Sequence, residues 1–183
     1  MVCIRRAVLL IALSGFVALM LAGCGDTVSV EDHFAKGNEF TQAGEYDKAI
    51  VEFEAALKKD PKSVSAMSNL GVVYYHLGRL DEAITQYQKA LELSPGDADV
   101  RSNLAAAYVQ KGDLESALEQ YQASVSANPQ LAAAHFGLGV VYQQMGRIDE
   151  AIQAFEKFQA LDTGKDSTAS DLASQYLQQL KGQ

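Results

Sequence analysis

The chain has no tryptophan, three prolines and two cysteines in 183 residues. So few prolines argue against a proline-rich or low-complexity chain, and a hydrophobic content of 48% is enough for a packed core. Both cysteines, Cys3 and Cys24, stand near the N-terminus. The body that follows therefore has neither an internal disulfide nor a thiolate zinc site, and its stability comes from packing alone. Positive charge is also scarce, with 15 Lys and Arg against 23 Asp and Glu. Arg5 and Arg6 belong to the leader described next. Beyond it 13 bases face 23 acids, a net −10. That field repels phosphate backbones, and no basic cluster offsets it, so nucleic-acid binding is not expected.

Long apolar stretches are absent except at the start. Arg5-Arg6 precede the 15-residue run Ala7 to Leu21, the order of a secretory signal. As a helix the run spans about 22 Å, short of the roughly 30 Å hydrocarbon thickness of a bilayer. The tetrapeptide Leu21-Ala22-Gly23-Cys24 resembles a bacterial lipobox. The resemblance implies a signal peptide over 1–23, removed to leave Cys24 as an acylated N-terminus, with residues 24–30 as the tether. Two or three acyl chains anchor stably where one is marginal. In enterobacteria an aspartate directly after the cysteine favours the inner membrane. Here Gly25 follows and Asp26 comes one place later. The expected location is the cell membrane or outer membrane, facing the periplasm or cell exterior.

The three prolines stand at 61, 95 and 129, a spacing of 34 each time. At that period other residues recur. The clearest block holds Met67, Leu70, Gly71, Tyr74, Gly78, Ala83, Tyr87, Ala90 and Pro95. The next holds Leu104, Ala105, Tyr108, Gly112, Ala117, Tyr121, Ser124 and Pro129. The last holds Leu138, Gly139, Tyr142, Gly146, Ala151 and Phe155, then departs with Phe158. The first holds Gly37, Phe40, Gly44, Ala49, Phe53, Ala56 and Pro61, with Lys36 where leucine is expected.

Each block reads as a helical hairpin. Met67, Leu70, Gly71, Tyr74 and Leu77 share one stripe, and Ala83, Tyr87, Ala90 and Leu91 form the facing one. Gly71 and Ala83 are expected to let the backbones approach, with Tyr74 and Tyr87 filling the space beside the crossing. Gly78 supplies a left-handed turn, and Pro95 ends the second helix. Residues 167–181 read as one more amphipathic helix with Leu172, Tyr176, Leu177 and Leu180 on one side. Phe158 is expected to pack against it.

These blocks resemble the tetratricopeptide repeat, and the chain as a whole resembles a bacterial lipoprotein of that family. The implied fold is all-α: a right-handed α-α superhelix of four hairpins (about 30–63, 64–97, 98–131 and 132–165, together 31–165) and a capping helix over 166–183. The resemblance further implies a concave face built by the first helix of each hairpin. Its expected groove residues are Phe34, Asn38, Asn69, Val72, Tyr75, His76, Asn103, Phe136 and Val140, with Gln42, Ser68, Ser102, Ala106, Gln110 and Gln144 between them.

Asn69 and Asn103 stand one repeat apart. A carboxamide carries donors and an acceptor, so the pair can clasp a peptide backbone. Equally, the two asparagines can bond local backbone between helices. Ala35 and Gly137 hold this position in the outer blocks. Phe34, Tyr75, His76 and Phe136 are candidate anchors, or packing residues at the groove edge. Members of the family that clamp a C-terminal carboxylate use Lys and Arg. Here Asn38 and Asn69 match the clamp asparagines, whereas Phe34, Asp99 and Asn103 occupy the basic positions, so an acidic C-terminus is not the expected ligand.

Catalytic and metal-binding patterns are missing. His33 and His135 recur at the Met67 position, a packing site, and Asp81-Glu82 and Asp149-Glu150 recur at a helix start. No phosphate loop or His-Glu-His spacing occurs. The expectation is a non-enzymatic, membrane-anchored adaptor without cofactor or metal, which binds envelope proteins or peptides in its groove. The alternative is a self-associating structural lipoprotein organising an envelope assembly.

Overall fold

The computed structural model describes residues 28–162 and 167–182. The leader, Cys24 and most of the tether lie outside the described residues. Within them are nine helices and no strand: α1 (Val30–Gln42), α2 (Tyr46–Lys59), α3 (Val64–His76), α4 (Leu80–Leu93), α5 (Ala98–Lys111), α6 (Leu114–Ala127), α7 (Ala132–Gln144), α8 (Ile148–Leu161) and α9 (Ser167–Lys181). They pair as four antiparallel hairpins, each stacked on the next, with α9 on α8. This is the all-α repeat superhelix expected from the 34-residue period.

The turns inside the hairpins explain the recurring glycine. Gly44, Gly78, Gly112 and Gly146 adopt φ between 70° and 83°, a region a Cβ disfavours. In each turn the amide after the glycine reaches back to the carbonyl of the aromatic five residues earlier: Glu45 to Phe40, Arg79 to Tyr74, Asp113 to Tyr108 and Arg147 to Tyr142, at 2.8–3.0 Å. This six-residue closure satisfies carbonyls left open at the end of the first helix. The starts of α1, α3 and α5 are capped by Ser29, Ser63 and Asp97. At α1 the cap is reciprocal, Asp32 accepting from the Ser29 amide at 3.0 Å. That bond, with the Ser29 hydroxyl, holds the Asp32 carboxyl below its ordinary value.

The core repeats with the sequence. Ala49, Ala83, Ala117 and Ala151 are fully buried, as are Phe53 and Phe155, with Tyr87 and Tyr121 nearly so. Ser124 replaces the buried alanine of other blocks and donates its hydroxyl to the Ala98 carbonyl at 2.7 Å, so its burial leaves no polar atom unpaired. Leu70, Leu104 and Leu138 are buried, whereas Lys36 is exposed. Neighbouring repeats are tied by polar bonds at matching positions, Gln88 to the Tyr108 hydroxyl at 3.3 Å and Gln122 to the Tyr142 hydroxyl at 3.1 Å.

Two packing expectations need correction. Gly71 is small because the Tyr87 ring lies on it: a Cβ there would sit 2.6 Å from Cε1 of Tyr87. Tyr87 therefore covers the crossing instead of filling space beside it. Gly37 under Phe53 and Gly139 under Phe155 repeat this arrangement. On α9 the buried stripe is Ala173, Leu177 and Leu180 with Tyr176 at its edge, and Leu172 is exposed. A small residue faces α8 because the aromatic cluster beneath α9 already fills that space. Phe158 does pack in the cluster that the capping residues complete.

Candidate functional site

First helices α1, α3, α5 and α7 lie side by side along the concave face, with α1 touching α3, α3 touching α5 and α5 touching α7. Two cavities open on this face. The smaller, about 200 Å³, lies between α1 and α3 and is lined by Asn38, Thr41, Gln42, Asn69 and Val72. The larger, about 330 Å³, lies between α3, α5 and α7, lined by Tyr75, Ala106, Val109, Gln110, Phe136, Gly137 and Val140, with Tyr121 of α6 at its base. No acid, lysine or arginine lines either one. In a body of net −10 this absence is selective, because an unpaired charge in such a recess loses hydration without a partner.

The anticipated residues divide by location. Tyr75, Phe136 and Val140 share the larger cavity; Asn38, Asn69 and Val72 share the smaller. Asn69 donates its amide to the Asn38 carbonyl oxygen at 2.7 Å. The two asparagines thus bridge α1 and α3 and orient each other, while keeping further donors and acceptors for a ligand. Asn103 has no side-chain hydrogen bond among the described residues and lines neither cavity.

Phe34 sits edge-on to Phe53 at 5.9 Å, at the rim of the first core cluster, outside both cavities. His76 stacks on Tyr46 of the preceding hairpin, with ring centroids 5.4 Å apart and planes at 8°, and also lies outside them. Phe136 serves two surfaces, lining the larger cavity while packing edge-on to Phe155 at 5.7 Å and Phe158 at 5.2 Å. Its anchor surface is therefore rigid.

Thr41, Val109, Tyr121 and Gly137 line the cavities without standing among the groove residues expected from the sequence. Tyr121 belongs to a second helix, where the repeat pattern predicts a purely internal aromatic. A signal for it exists: the third block alone carries alanine, Ala105, where the others have glycine, and the fourth carries Gly137 where the second and third have asparagine. Burial pushes the Tyr121 hydroxyl pKa well above its ordinary value, with Tyr75 nearby adding to the effect. It is therefore a neutral hydrogen-bonding group at any physiological pH.

Tetratricopeptide repeat profiles match residues 34–98, 86–119 and 132–162, and a TPR repeat profile matches residues 106–146. The chain belongs to the tetratricopeptide repeat family. No curated protein matches it. Among solved structures, one of MamA protein aligns with a TM-score of 0.67 at 25% identity, covering 84% of this chain and 90% of that one. A second MamA structure gives 0.65 at 26% identity, covering 80% and 92%. The 41-to-end MamA fragment from Desulfovibrio magneticus RS-1 gives 0.68 at 24%, covering 76% and 79%, a likeness of fold. Tetratricopeptide arrays are generally non-enzymatic, and the repeats and the MamA-like neighbours support a protein–protein interaction scaffold. Among the described residues no helix is long and apolar enough to cross a membrane, and no group of three or more His, Cys, Asp and Glu is placed to hold a metal ion.

Proposed function

We propose that the chain is a membrane-anchored adaptor of the bacterial cell envelope, which docks a segment of another envelope protein along the face of α1, α3, α5 and α7. The observation that carries this reading is the concave face itself, with two adjoining recesses, no charged lining residue, and the Asn38–Asn69 bridge beside exposed amide groups. Carboxamides can bond the main chain of a ligand, and apolar recesses receive its side chains. The lipobox-like run ending at Cys24 supports a lipid anchor, which would hold the array at a membrane surface facing the periplasm or cell exterior.

Crosslinking and affinity capture from intact cells test the groove. Asn69→Ala/Tyr75→Ala should reduce recovery of the partner by about tenfold or more while helical circular dichroism is unchanged. Full recovery would move the binding surface to the second helices. The anchor is tested separately by metabolic labelling. Cys24→Ala should accumulate as an unprocessed precursor without fatty-acid label, and label entering that variant would rule the anchor out.

A further inference from the structure

In hairpins one, two and four the aromatic of the second helix covers a glycine on its own first helix: Phe53 on Gly37, Tyr87 on Gly71 and Phe155 on Gly139. The third hairpin breaks this rule. Its first helix carries Ala105, whose methyl occupies the equivalent site. The ring of Tyr121 instead lies over Gly137 in the following hairpin, where a Cβ would overlap its Cζ, Cε1 and hydroxyl oxygen. Gly137 stands at the repeat position of Asn69 and Asn103. One aromatic has thus moved from covering its own hairpin to covering the next, and two paired departures from the repeat accompany the move. The result is that Tyr121 reaches the base of the larger concave cavity.

We propose that this cavity is a socket for one large apolar side chain, leucine, methionine or phenylalanine in size, carried by an uncharged segment of a protein partner. The inference rests on the groove reading above and specifies its ligand. Tyr75, Val109, Phe136 and Val140 supply apolar wall, and the polar groups of the lining are the Gln110 amide and the tyrosine hydroxyls. A volume of about 330 Å³ is at the low end of the roughly 300–1,000 Å³ typical of ligand pockets. It accepts one side chain with its adjoining backbone. A charged residue entering it would be desolvated with no counter-charge in the lining. An apolar one displaces water from aromatic surface, the setting in which interface energy concentrates.

The test selects a random dodecapeptide library, displayed on phage, against the purified full chain. Enriched peptides should share one leucine, methionine or phenylalanine between uncharged neighbours, and replacing that residue by alanine should weaken binding about tenfold or more. Two protein variants should weaken it similarly. Ala105→Gly/Gly137→Asn recreates the glycine and asparagine of the second hairpin, returning Tyr121 to its own hairpin. Val140→Asp places a carboxylate in the half-buried cavity wall, and circular dichroism checks the fold of both. Enrichment of charged peptides, of none, or of peptides that keep their affinity in both variants overturns the socket. Peptides weakened only by Val72→Asp, in the smaller cavity, would leave groove docking standing without the socket. Peptides indifferent to every one of these substitutions would remove both readings.

Discussion

Phe155→Ala is expected to lower stability by about 3–5 kcal/mol, the range for truncating a fully buried aromatic. The ring is 0% exposed and joins three elements. It lies over Gly139 of α7, meets Phe136 edge-on at 5.7 Å, and stacks on Tyr176 of α9 at 5.1 Å with planes at 20°. Removing it leaves a void that Gly139 cannot fill and takes away the surface on which the capping helix rests. In a repeat array each unit is stabilised chiefly by its neighbours, so the loss should appear first at this end. Hydrogen exchange should show α9 and α8 losing protection while α3 and α4 keep theirs, and urea unfolding should show an earlier, broader transition. Uniform loss across all hairpins would mean that the array unfolds as one unit. A midpoint shift worth under about 1 kcal/mol would contradict the packing argument.

Gly71→Ala is expected to destabilise by up to about 2 kcal/mol, although alanine is the better helix former. Helix propensity favours the change by about 1 kcal/mol. Against it, the new methyl would meet three carbons of the Tyr87 ring at 2.6–3.0 Å, and overpacking typically costs about 1–3 kcal/mol, occasionally more. Tyr87 is 1% exposed and has no slack within its own hairpin. The escape that Tyr121 takes in the third hairpin is closed to it, because Asn103 stands where Gly137 stands. Asn103→Gly should therefore rescue Gly71→Ala, although alone it only adds a helix glycine. A double-mutant cycle by chemical denaturation should give a favourable coupling of about 1 kcal/mol or more. Additive effects would show that the paired departures at 105 and 137 are unrelated.

How much was legible varies along the chain. Lys36 stands where the later blocks bury a leucine, and in the first described hairpin it is exposed. His76 reads as a groove residue from its repeat position, yet its ring is taken by Tyr46 one hairpin earlier. Asn69 reads as one rung of a ladder with Asn103, yet it is bonded to Asn38, whose carboxamide lies across the stack from it. Leu172 reads as part of the buried stripe of α9, yet Ala173 is buried there and Leu172 is exposed. For His76 and Asn69 the neighbour that decides lies in a different hairpin.

The amino-acid sequence by itself determined the repeat length, the hairpin turns, the glycine and alanine sites of close approach and the all-α class. These depend on periods of three to four residues and on a single 34-residue period, so every copy testifies to the same local geometry. Only the tertiary structure decided which side chains meet across hairpins, and with that the uncharged cavity above Tyr121. Side-chain direction at such contacts depends on how one repeat is rotated on the next, and the methyl of Ala105 together with the bare backbone of Gly137 sends a ring to a different neighbour.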